Sequence, residues 1–278
     1  MKKFLAMTMA LAMALSLTAC GGNGANSSAA SNGSASSAGA SASTPDAAVT
    51  TVEEGKLHMS TNAQFPPYEM VADDGSFEGI DIEVAQAIAE KLGLELIVDD
   101  MDFDAALLAA QTGKSDMVMA GVTVNEERLE VMDFSDSYAN GVQVVIVPEG
   151  SDVTLDNLGE KMIGTQRGTT GYIYCSDSVE NGGYGEDHVT AYDDGATAVQ
   201  ALLNGQVDCV VIDNMPAQEY VKANEGLTIL DTEFTNEDYA IGVAKGNAAL
   251  LDAINGALAE LTANGTLQSI VDKYIPAK

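Results

Sequence analysis

Between Ala120 and Ser135 the chain reads AGVTVNEERLEVMDFS, a stretch with a single arginine, Arg128. It falls in the first turn of a predicted helix that starts just after a strand ending at Gly121 and Thr123. A guanidinium offers planar bidentate donors, and a strand end leading into a helix adds bare backbone N–H groups and positive potential. Together they suit a carboxylate, at the end of an α/β strand where such sheets bind ligands. The other reading is a surface arginine paired with Glu127 or Glu130.

A second strand-to-helix turn, Ile163-Gly164-Thr165-Gln166-Arg167-Gly168-Thr169-Thr170-Gly171, lets backbone approach a ligand at Gly168 and supplies hydroxyls and amides at Thr169 and Thr170. It reads equally as an ordinary helix N-cap, and it lacks the Gly-Lys-Ser/Thr of a phosphate loop. Asp213 ends the apolar strand Cys209-Val210-Val211-Ile212. It is either the cap of the next helix or a carboxylate aimed at an ammonium group. An arginine on one unit facing an aspartate and a helix start on another would grip both charges of a zwitterion. Phe65, beside Pro66 and Pro67, and Phe103, after Asp100-Met101-Asp102, are either core residues or aromatic walls of a site.

Enzymatic chemistry finds little support. His58 and His188 lack metal-site neighbours, and the Asp100, Asp102, Asp104 spacing fails as a calcium loop because Ala105 and Gln111 stand where Gly and Glu are needed. There is no Gly-x-Ser-x-Gly and no dinucleotide fingerprint. No catalytic residue, metal or cofactor is expected.

The elements that must position these residues alternate. Strands are expected at Leu57 to Thr61, Leu94 to Val98, Asp116 to Ala120, Gln143 to Val147, Met162 to Thr165, Val189 to Tyr192, Cys209 to Asp213, Leu227 to Leu230 and Tyr239 to Val243. Ile80, Val84, Ile88 and Leu92 recur at helical spacing before Gly93, a helix with its stop. Further helices are expected over Phe103 to Thr112, over Asn125 to Val131 with Asn125 as cap, from Thr169, Asp194 and Asn214, over Ala248 to Ala263, and on to Tyr274. This is an α/β chain with mainly parallel sheets in two units joined by extended crossings near Tyr138 to Val142 and Glu237 to Ile241.

Charge and the chain start narrow the setting. Twelve Lys and Arg stand against 42 Asp and Glu, a net charge of −30, which argues against nucleic acid and anionic membrane surfaces as partners. Lys2 and Lys3 precede an apolar run to Ala19, too short for an ordinary membrane span, so residues 1–19 read as a signal peptide. Leu17-Thr18-Ala19-Cys20 resembles the lipobox of bacterial lipoproteins, with Cys20 the lipidated residue. Residues 20–52, mostly Ser, Ala, Gly and Asn, read as a lipid-anchored disordered linker. Cys175 and Cys209 form either a disulfide or two buried free thiols.

Taken together, Thr61-Asn62-x-x-Phe65-Pro66-Pro67-Tyr68, Gly79-Ile80-Asp81-Ile82, Met101-Asp102-Phe103, Ala120-Gly121-Val122-Thr123 with Glu127-Arg128, Asp133-Phe134-Ser135, Gly168-Thr169-Thr170, Ile212-Asp213 and Asn264-Gly265-Thr266 resemble the extracytoplasmic solute-binding proteins of ABC importers. The branch is the one that binds polar amino acids, and the likeness spans Lys56 to Pro276. It implies a two-lobed periplasmic-binding-protein-like fold with a two-strand hinge, lobe 1 being 53–139 with 241–278 and lobe 2 being 140–240. It also implies that Arg128 takes the α-carboxylate, helped by Gly121, Thr123 and Thr170, that Asp213 takes the α-amino group, and that Phe65 and Phe103 flank the ligand's side chain.

Asn62 stands where several relatives carry an acid, which weakens the case for lysine or arginine. Gln166 could bond a polar side chain, while Arg167 is expected to point outward. A neutral polar amino acid is preferred, with cystine or an acidic one open. The expected partners are a free amino acid, a membrane permease and the lipid anchor, for a monomer outside the cytoplasm. The alternative is an enzyme resembling cyclohexadienyl dehydratases, whose general acid would be Glu69 or Asp213 at best.

Overall fold

The computed structural model describes residues 49–231 and 233–275. The expected leader, Cys20 and all but the last four residues of the linker lie outside the described residues. The ordered chain opens with strand β1 (Lys56–Thr61), then three short strands, β2 (Gln64–Phe65), β3 (Glu69–Val71) and β4 (Phe77–Glu78), that pair in a small antiparallel sheet. Helix α1 (Ile80–Leu92) follows and ends at Gly93 in the left-handed conformation, φ 69°. Its stripe Ile80, Val84, Ile88 is fully buried, as the spacing requires.

Next come β5 (Glu95–Asp100), α2 (Phe103–Gln111), β6 (Met117–Val118), α3 (Glu126–Val131), β7 (Met132–Phe134) and the long β8 (Ala139–Pro148). The second unit contains β9 (Ile163–Gln166), α4 (Thr170–Ser176), β10 (Val189–Tyr192), α5 (Gly195–Leu203), β11 (Cys209–Asp213), α6 (Asn214–Ala223), β12 (Leu227–Ile229) and β13 (Thr235–Tyr239). The chain closes with β14 (Gly242–Ala244), α7 (Ala248–Ala263) and α8 (Thr266–Tyr274).

Two sheets organise two lobes. The first runs β5-β1-β6-β14-β7 and the second β10-β9-β11-β8-β12, with β13 also on β8. Each holds a parallel trio, β5-β1-β6 and β10-β9-β11, extended by antiparallel strands. The sheets are therefore mixed where mainly parallel ones were expected. The cause is the return strands, β14 in one sheet and β8 in the other, which enter against the direction of the trio.

The run expected as one strand, Tyr239 to Val243, is divided between the sheets. Tyr239 ends β13 and pairs with Ala139, whereas Gly242 opens β14 between Val118 and Phe134. Ala240 and Ile241 make the passage. A side chain at Gly242 would come within 2.5 Å of Met132 and 2.8 Å of Val118, so glycine permits this close return. Beside it, Ala139 to Val142 and Asn236 to Tyr239 run antiparallel, so the two extended segments that connect the lobes lie next to each other.

The cores explain the apolar runs. In β8, Val144 and Ile146 join one cluster with Val210 and Ile212, while Val145 and Val147 join another with Cys209 and Val211. Both faces of this sheet are covered, hence continuous rather than alternating hydrophobicity. Leu57 and Met59, fully buried in the first lobe, contribute roughly 1.5–3 kcal/mol each by leaving water. Cys175 and Cys209 are free thiols in one core cluster, and burial pushes each up to about 12. Between the two readings left open above, the free-thiol one describes the molecule.

Candidate functional site

Between the lobes lies a cavity, and all ten side chains or turns expected to bind a ligand line it. From the first lobe these are Asn62, Phe65, Phe103, Gly121, Thr123 and Arg128; from the second, Gln166, Thr169, Thr170 and Asp213. They gather because β1, β9 and β11 end at Thr61, Gln166 and Asp213, so each follow-on turn opens at the same rim.

Arg128 sits where local sequence puts it. Asn125 caps α3 by accepting the Arg128 N–H at 2.8 Å, which fixes the turn that carries the side chain. The guanidinium is 7% exposed and forms no ion pair with Glu127 or Glu130. Its Nη1 donates to the Thr123 carbonyl at 2.7 Å and its Nη2 to the Gly168 carbonyl across the cleft at 3.1 Å. The plane lies 5.5 Å over the Phe103 ring, a cation–π contact. Burial lowers its pKa, and Glu237 is the foremost group acting the other way. A buried cation held by carbonyls and an aromatic face is a receptor for an anion.

Asp213 caps α6 and also lines the cavity. Oδ1 accepts the Met215 N–H at 3.0 Å as the cap of α6, and Oδ2 accepts the Val142 N–H at 2.9 Å and the Tyr239 hydroxyl at 2.8 Å. It is 1% exposed, and burial pushes its carboxyl up to about 6 against the pull of those three donors. Thr169 also caps its helix, accepting from the Tyr172 N–H while donating to the Gln166 carbonyl at 2.8 Å. Gln166 reaches across the cleft and donates to Asn62 Oδ1 at 2.9 Å. Phe65 stacks on Tyr68, with ring centroids 5.7 Å apart.

Two glycines are required by the geometry. At Gly168, φ 73°, a Cβ would fall 1.7 Å from an Asp104 oxygen, and at Gly121, φ 54°, it would meet the Phe65 ring at 2.9 Å. The Gly121 N–H donates to Asp81 Oδ2 at 3.0 Å, one of the donors that the buried Asp81 needs. The Thr123 hydroxyl likewise donates to Glu237 Oε2 at 2.8 Å. Arg167 points outward, 56% exposed on its side chain and paired with Asp193 at 3.3 Å.

Seven lining residues were not singled out as ligand-binding, the apolar Ala120, Val211 and Ile212 and the polar Glu69, Gln143, Glu237 and Tyr239. Glu237 also accepts from Gln143 Nε2 at 3.2 Å, and its Oε1 is buried with no hydrogen-bond partner. In β13 the burial alternates, with Glu237 and Tyr239 inward and Asn236 and Asp238 outward. Among the described residues no group of three or more His, Cys, Asp or Glu is placed to hold a metal ion.

The family model of bacterial extracellular solute-binding proteins, family 3, matches residues 57–277. The L-cystine-binding protein TcyJ of Escherichia coli (strain K12) is 32% identical over 229 residues, 81% of this chain and 84% of its own. Among solved structures, an ancestral arginine-binding protein bound to arginine is 40% identical with a TM-score of 0.74, covering 80% of this chain and 98% of that one. An ancestral arginine-binding protein bound to glutamine is 39% identical with a TM-score of 0.73, covering 81% and 100%.

Proposed function

The chain belongs to the bacterial extracellular solute-binding proteins of family 3, and on that premise we propose that it captures a free polar α-amino acid and delivers it to the permease of an ABC importer. The observation that carries this reading is a pair of buried opposite charges, Arg128 from one lobe and Asp213 from the other, lining one cavity. The α-carboxylate binds Arg128 with help from Thr123, Thr169 and Thr170. The α-ammonium binds Asp213, and Phe65 and Phe103 flank the side chain, with Asn62 and Gln166 as its polar neighbours. The lobes are 53–139 with 241–278 and 140–240, and the paired segments of β8 and β13 are the hinge. Closure supplies affinity, since contacts from both lobes exist together only when the cleft is shut. The protein works outside the cytoplasm as a monomer, held at the membrane by lipid on Cys20.

Charge narrows the ligand. The lining holds the acids Asp213 and Glu237 against the single cation Arg128. An acidic side chain would add negative charge to this set, and Arg167, the cation that could have read it, faces solvent. Neutral polar amino acids, cystine among them, and cationic ones are therefore favoured. A thermal-shift screen of the common amino acids and cystine tests this, because a ligand at 100 times its Kd stabilises the folded state by about 2.7 kcal/mol. The expected hit is neutral polar or cationic. A panel in which no amino acid raises the melting temperature, or turnover of the one that does, would overturn the reading.

A further inference from the structure

The cleft is backed by two carboxyl groups that the ligand-binding reading does not use. Glu69 in β3 and Asp81 in the first turn of α1 are both fully buried. Neither Glu69 oxygen has a hydrogen-bond donor, and Asp81 Oδ1 has none either. Asp81 Oδ2, in contrast, takes the Gly121 N–H at 3.0 Å and the Tyr138 hydroxyl at 2.7 Å. Gly121 is cavity wall, and Tyr138 stands immediately before β8, its own N–H on the Tyr239 carbonyl at 3.0 Å.

The Asp81 N–H donates to the Tyr68 carbonyl at 2.8 Å, which brings the start of α1 beside Glu69. Ionising both acids would set two negative charges close together in buried positions, with no donor among the described residues on either Glu69 oxygen or on Asp81 Oδ1. The titratable groups facing Glu69 offer no relief. They are Asp81 from α1, Asp100 from β5, Asp213 from β11, the phenols of Tyr68 and Tyr138, and Tyr220 from α6. No cation is among them. One proton removes one of the two charges and turns a Glu69 oxygen into a donor for Asp81 Oδ1.

We infer that Glu69 and Asp81 share one proton in a carboxyl–carboxylate hydrogen bond, and that this acid pair is a positioning element. It holds Asp81 on the Gly121 amide and the Tyr138 hydroxyl, so the cleft wall and the start of the hinge strand are set together. Burial, and then Asp81, push the Glu69 carboxyl well above its ordinary value, in keeping with a neutral acid at physiological pH. Asp81 itself is held up to about 6 by burial, against the pull of Gly121, Tyr138 and Glu69. Tying the wall to the hinge goes beyond the amino-acid reading and does not depend on it.

The test therefore needs no ligand. In 13C,15N-labelled protein near pH 7, one glutamate side-chain carboxyl should resonate in the protonated position, and Glu69→Gln should remove that signal. As pH rises, the Gly121 amide should shift with the same midpoint as this carboxyl in the natural chain, and should stay still in Glu69→Gln. If that variant does not fold, Asp81→Asn serves, and the Glu69 midpoint should move to lower pH. Glutamate carboxyls that are all ionised near pH 7 would overturn the shared proton, as would an unmoved midpoint in Asp81→Asn. A Gly121 amide indifferent to the titration would overturn the positioning role.

Discussion

The two ends of the cleft handle charge in opposite ways. At the arginine end, two of five N–H donors are engaged by carbonyls among the described residues, so the carboxylate proposed for Arg128 would find donors to spare. At the aspartate end both oxygens of Asp213 already accept from Met215, Val142 and Tyr239. An incoming ammonium group must share or displace one of those donors. The first end is ready for its ligand group, whereas the second exchanges an internal bond for an external one. The arginine end should therefore supply most of the affinity, and the aspartate end should supply discrimination for an amino group.

Arg128→Ala is the strongest way to break this contrast. It should weaken binding of the amino acid identified by thermal shift by about 3–5 kcal/mol, two to four orders of magnitude, as loss of a buried charge partner does. Calorimetry giving an unchanged affinity in a folded variant would remove Arg128 from the site. Asp213→Asn should cost less, roughly ten- to hundredfold for the amino acid, while sparing an analogue without the amino group. Equal losses for the two compounds would mean that the aspartate end is only a helix cap.

Acidification probes the same end more gently. With its carboxyl near 6, Asp213 is mostly protonated at pH 5, so affinity there should be about tenfold weaker than at pH 7. Stability of the ligand-free protein moves the other way. A carboxyl raised in the folded state contributes stability that is full below about pH 4 and lost as pH rises through about 6, at most roughly 3 kcal/mol for this group. Titration calorimetry and melting curves across that window should thus slope in opposite directions, and a flat affinity profile would count against Asp213 as the ammonium partner. The smallest effect belongs to Arg167→Ala. An exposed pair with Asp193 is worth under about 1 kcal/mol, and affinity should stay within about twofold.

Much of the scaffold was legible because its signals are local. Gly93 closing α1, Asn125 capping α3, and Thr169, Asp194 and Asp213 each starting a helix are one-turn chemistry, and each acts where the sequence indicates. The strand ends then bring the ten candidate residues to one rim. Less legible was anything decided by a partner distant in the chain. That Gly121 spends its amide on Asp81, forty residues earlier, follows from the burial of Asp81, which no neighbouring residue announces. Glu237 was hidden by its type. An inward acid at alternating spacing in Thr-Asn-Glu-Asp-Tyr reads as part of a polar surface until β8 is seen beside it.

The order of strands in the first sheet, β5-β1-β6-β14-β7, has a consequence for how the molecule is made. The slot between β6 and β7 is filled by β14, which lies about a hundred residues later, after all of the second lobe's strands. A chain emerging from its N-terminus can complete the second sheet from one unbroken stretch, but must leave the first with a missing slat. Only when Gly242 to Ala244 arrive can β7 pair, and the first core shuts after them with α7 and α8, which bring Leu250, Ile254 and Ile270 to it. Until then the early half of the molecule carries an open sheet edge, the stage at which an exported chain is most exposed to wrong pairing.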